Sequence, residues 1–99
     1  MANQEIREML KIDLGITVTN YDPRLDAIIL SAEREITAAG ATLDLTDPRH
    51  VQVVIIYAAW MWRRRDTGAA MPPMVRRALN NLVFGQKMAA GEDHAGESE

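Results

Sequence analysis

Two histidines, His50 and His94, and no cysteine leave this 99-residue chain few routes to catalysis or metal binding. A general acid or base works with a second polar group held on a rigid frame. His94 lies in a stretch, residues 91–99, that has no apolar residue larger than alanine to anchor it, and His50 has no partner set by spacing. Metal sites need several converging ligands, which a lone histidine does not supply. Without cysteine there is no thiolate nucleophile or disulfide framework either. No phosphate-binding glycine loop, HExxH pair or nucleophile elbow occurs. We therefore expect no enzyme, no cofactor and no resident metal.

The sharper signals are cationic and aromatic. Arg63-Arg64-Arg65 follows an apolar run, and Arg76 and Arg77 come soon after it. At a helix C-terminus such cations are favoured by the dipole, which accounts for them as a solvated cap. Arginine forks also pair bidentately with carboxylates at protein interfaces, and several together can neutralise phosphates. Trp60 and Trp62 stand about 200° apart on a helix, so they cannot face the same core. One of them is expected in the core, and the other under the Met71-Pro72-Pro73 loop or as an anchor in an interface, where Trp and Arg are enriched. The expected contact residues are Trp60, Arg63, Arg64, Arg65, Met71, Arg76 and Arg77.

What must position these residues is the run from Val51 to Trp62, fenced by Asp47-Pro48-Arg49 and Arg63-Arg64-Arg65-Asp66. At helical spacing Val51, Val54, Ile55, Ala58, Ala59 and Trp62 make one side, while Val53, Ile56, Tyr57 and Trp60 make roughly the opposite one. A small chain has little with which to cover both. Association is the obvious relief.

Around that rod the pattern predicts an all-α domain, a small bundle of about four helices over residues 1–90. Asn3 opens a first helix with Ile6, Met9, Leu10 and Leu14 on one face, and Gly15 stops it. Residues 16–20 read as an extended connector. Asp22-Pro23-Arg24 then starts a second helix, the carboxylate capping free N–H groups, with Leu25, Ile28, Ile29, Ala32 and Ile36 inward and Gly40 at its end. A last helix opens near Pro73, places Val75, Ala78, Leu79, Leu82 and Val83 inward, and frays or ends at Gly85. Residues 91–99 are expected to form a disordered acidic tail. Formal charge runs -4 over residues 1–50, +5 over 51–90 and -4 over 91–99, a polarity that lets one subunit pair with the next. The start is not of secretory type and the apolar run is too short for a membrane span, so a soluble, cytoplasmic chain is expected.

The segments Tyr21-Asp22-Pro23-Arg24-Leu25-Asp26-Ala27-Ile28-Ile29-Leu30-Ser31-Ala32-Glu33-Arg34-Glu35-Ile36 and Leu45-Thr46-Asp47-Pro48-Arg49-His50-Val51-Gln52-Val53-Val54-Ile55-Ile56-Tyr57-Ala58-Ala59 resemble the small head–tail connector (adaptor) proteins of tailed bacteriophages. The likeness covers roughly residues 4–88 and consists of caps and apolar spacing. It implies a structural virion protein at the head–tail interface, assembled in the host cytoplasm. Its subunits would form a homo-oligomeric ring of about twelve under the portal protein, extend the DNA channel and offer a docking surface to a downstream neck or tail protein. It also implies non-specific contact with genomic DNA in the channel at most, and no membrane partner. The 40–46 connection is short for the long loop many members carry there.

Two readings stand beside it. One is a small helical nucleic-acid-binding regulator using Arg63–Arg65, against which residues 1–90 sum to only +1 and no helix-turn-helix glycine turn precedes a polar recognition helix. The other is a dimeric helical module, distinguished by stoichiometry.

Overall fold

The computed structural model describes residues 3–67 and 70–98, with side chains described for 3–64 and 70–88. Four helices account for nearly all of it: α1 (Asn3–Leu14), α2 (Asp22–Ala38), α3 (Pro48–Thr67) and α4 (Pro73–Ser98). Among the described residues there is no strand, and residues 16–20 form an open connector.

Two of these helices end in the same way. At the close of α1 the Ile16 N–H donates to the Lys11 carbonyl at 2.9 Å and the Gly15 N–H to Ile12 at 3.3 Å. At the close of α2 Ala41 donates to Ile36 at 3.4 Å and Gly40 to Thr37 at 3.0 Å. This paired pattern needs the first of the two donors along the chain to be left-handed, and the φ values of Gly15 and Gly40 are 72° and 113°. Both stops were legible as glycines.

The two Asp-Pro-Arg starts differ. Asp47 caps α3 as expected, its carboxylate accepting from the Arg49 N–H at 2.9 Å. Asp22 does not cap α2: Tyr21 occupies the cap position with no side-chain bond. The Asp22 carboxylate instead accepts from Lys11 Nζ at 2.9 Å, across the α1–α2 connector. Beside it Arg7 donates to Asp26 at 3.0 Å. An ammonium as buried as Lys11, 6% exposed, needs a charged partner. That requirement overrides the local preference for a cap.

The core is one cluster in which α3 touches every other helix. It receives Ile6 and Leu10 from α1, Leu25, Ile29, Ala32 and Ile36 from α2, and Val75 from α4. Val51, Val54, Ile55, Ala58, Ala59 and Trp62 of α3 are all buried, as their spacing indicated. Met9, grouped with the inward face of α1, is 37% exposed, and Ile28 of α2 is only half-buried. α4 runs on past Gly85 as helix rather than ending there. The side chains from residue 89 onward lie outside the described residues; the backbone of residues 91–98, expected to be a disordered acidic tail, continues α4 to Ser98.

The chain measures 56 × 28 × 17 Å along its principal axes. Packed helix axes stand about 8–10 Å apart, so the thin direction holds two layers of helices and not three. A helix in a two-layer arrangement has cover on one side. Its opposite side must be apolar-poor, or it must find a neighbour.

Candidate subunit interface on the central helix

On the second side of α3 cover is incomplete. Tyr57 is buried, but Val53, Ile56, Trp60 and Met61 remain half-buried. Ile56, Ala59 and Trp60 form the floor of an open groove of ≈ 460 Å³. One wall comes from Ala70, Pro72, Met74 and Val75 where the chain turns into α4, and charged groups from Asp13, Arg63 and Arg64 complete the rim.

The two tryptophans separate as a 200° offset requires. Trp62 is the core member, 9% exposed, with the Tyr21 ring edge-on at 5.3 Å. Trp60 stands in the groove, Tyr57 perpendicular to it at 5.4 Å and the Arg64 guanidinium 4.5 Å from its ring centroid. A guanidinium over an indole face is attracted by the ring quadrupole, so Arg64 steadies the ring and lends it positive charge. The Trp60 Nε1–H is itself buried and finds no acceptor among the described residues. An indole donor without a partner is costly.

Of the other expected contact residues, Arg63 is exposed on the rim, whereas Met71 is half-buried against the core and does not line the groove. Arg76 and Arg77 are exposed on the first turns of α4, outside the groove lining. The Arg65 side chain lies outside the described residues. The geometry thus brings together Trp60, Arg63 and Arg64, and keeps Met71, Arg76 and Arg77 apart from them.

Sequence reading missed a second apolar feature. Phe84 and Met88 of α4 are 63% and 51% exposed, and Met74 at the groove is 71% exposed. Phe84 and Met88 are spaced i, i+4 and fall away from the inward set Val75, Leu79 and Leu82. That mismatch was the available signal.

A second cleft, ≈ 450 Å³, lies between α3 and α4 beside Arg49, His50, Asn81 and Gln86. Three of these side chains are engaged, Arg49 donating to Asp47 at 3.1 Å. His50 Nδ1 accepts from the Asp44 N–H at 2.9 Å, and Gln86 exchanges two bonds of 2.8 Å with the Thr42 backbone, clipping the α2–α3 loop to α4. Among the described residues no group of three or more His, Asp or Glu side chains is placed to hold a metal ion, and no helix is long and apolar enough to cross a membrane. No family model, curated protein or solved structure matches this chain.

Proposed function

We propose that this chain is a structural subunit of a head–tail connector of a tailed bacteriophage. Copies of it assemble as a homo-oligomeric ring of about twelve beneath the portal protein, prolong the DNA channel and present a surface to the next neck or tail protein. The observation that carries this reading is the half-covered second side of α3. Ile56, Trp60 and Met61 stay partly open in a molecule two helix layers thick. Three further features support it: the all-helical architecture, the change of charge along the chain and the sequence likeness described above. Its role is architectural, with DNA in the channel meeting scattered arginines rather than a reading surface. The nucleic-acid regulator is the weaker alternative because residues 1–90 sum to only +1, a small excess for holding a phosphate backbone.

Electron microscopy of the purified protein, alone and mixed with portal rings, tests the proposal. Closed rings, or an added layer beneath the portal, are the expected result. A monomer that leaves portal rings bare, yet binds duplex DNA with steep salt dependence, would overturn it in favour of the regulator.

A further inference from the structure

The apolar groove and the apolar ridge occupy different parts of one surface, and each lacks what the other offers. We infer that the groove beside Trp60 receives α4 of a second copy of this chain, Phe84 and Met88 seating against Ile56, Trp60 and Met74. This inference rests on the ring reading and specifies its contact.

Charge favours this occupant over others. The groove rim carries Arg63 and Arg64, and Arg76 and Arg77 follow directly on groove residues Met74 and Val75. One turn beyond Met88 the sequence supplies Glu92 and Asp93, then Glu97, with no cation among residues 91–99. An α4 laid with its ridge in the groove brings this acidic end, -4 over residues 91–99, to the neighbour that presents the basic rim. Asp13 on the rim opposes the acidic segment, and Lys87, beside the ridge, is available to answer it.

Reach favours it too. A 26-residue helix extends for about 39 Å, and the radius of gyration of 15.2 Å exceeds the roughly 13 Å usual for this length. The molecule has an arm. Groove and ridge are different patches, and unless a two-fold axis exchanges them reciprocally the contact is heterologous and propagates from copy to copy until rotation closes it. A self-complementary patch would stop at two.

The absence of cysteine from the natural sequence makes the contact directly testable. In the full-length chain, Met74→Cys marks the groove and Met88→Cys marks the ridge, both at exposed positions. They lie on one helix about 21 Å apart, too far for a disulfide within a single subunit. Mild oxidation of the double variant, with portal rings present and absent, is expected to give a ladder of covalent multimers. Each single variant alone should give little product, and their equimolar mixture a dimer and nothing larger. Phe84→Ala should weaken self-association at least about 30-fold, as loss of an anchor does. A double variant that gives no ladder while the wild type still forms rings overturns this contact and leaves the ring standing. Neither ladder nor ring removes both. A double variant that stops at the dimer, or single variants that cross-link to themselves as efficiently as the mixture, indicate a two-fold contact and overturn the inference.

Discussion

Trp60 and Lys11 show how differently two half-hidden side chains can act. The Trp60 ring, braced by Tyr57 and Arg64, keeps a face open to the groove, so its truncation should act mainly on association. Trp60→Ala is expected to cost about 2 kcal/mol or more of subunit affinity, measured by sedimentation over a concentration series. An unchanged profile would exclude it as an anchor. Lys11 works inside the subunit. With side-chain exposures of 8% and 18%, the Lys11–Asp22 pair is sheltered from solvent screening, and Lys11→Ala leaves the carboxylate only the more distant Arg7 Nε at 3.7 Å. The expected loss is about 1.5–3 kcal/mol in urea unfolding. A loss within a few tenths of a kcal/mol would mean that water replaces the ammonium freely. Nothing local announced this pair: Lys11 and Asp22 face each other only because Gly15 turns the chain between them. Periodicity identifies which residues go inward, but not which charge will meet which.

At the scale of elements much more was legible. Glycines at 15 and 40 and the Asp-Pro pairs marked helix limits because caps are local chemistry, and the inward face of α2 followed from spacing alone. Gly85 misled because its cost within a helix, about 0.5–1 kcal/mol, is small beside the packing of Leu79, Leu82 and Val83 on the core. A Cβ at Gly85 would meet nothing within 4 Å, whereas Gly40 holds a φ of 113° beside Val83. Gly85→Ala is therefore expected to stabilise by about 0.5–1 kcal/mol, and Gly40→Ala to destabilise by about 1–2 kcal/mol. Thermal melts of both variants check the opposite signs. Like shifts would show that the two glycines do not differ as their backbones indicate.

The α2–α3 loop carries a pH dependence of defined sign. Hydrogen bonds from Thr46 hold the Asp44 carboxyl below the usual carboxylate range, and those from Arg49 do the same for Asp47. A carboxyl depressed in the folded state contributes stability that is fully present above its unfolded value, near pH 4. That contribution is lost as pH falls through the folded value. Glu33 has the opposite sign, since burial pushes its carboxyl up and acidification relieves the cost. Unfolding free energy is thus expected to drop below about pH 4, and a D44N/D47N variant to lose part of that drop. An acid limb of equal depth in the variant would contradict these assignments.

For the whole molecule, thickness and charge point the same way. A 17 Å profile leaves α3 with a surplus of apolar perimeter, and the acidic first half, basic second part and acidic end supply both signs of charge that the proposed subunit contact would pair. The surplus could be read in the sequence because Ile56 and Trp60 oppose Ile55 and Trp62 on the same helix. Its location could not, since only packing decides which side α4 and the 70–72 segment leave open.

The proposed neighbouring subunit would cover what α3 leaves bare, and Trp60 can report on it alone once Trp62 is replaced by phenylalanine. Acrylamide quenching of that single-tryptophan variant, followed from dilute to concentrated protein and with portal rings added, measures the cover directly. The expected result is quenching that falls as assembly proceeds. Quenching that stays constant under every condition, including in assembled rings, would show that nothing docks over Trp60 and would contradict the account.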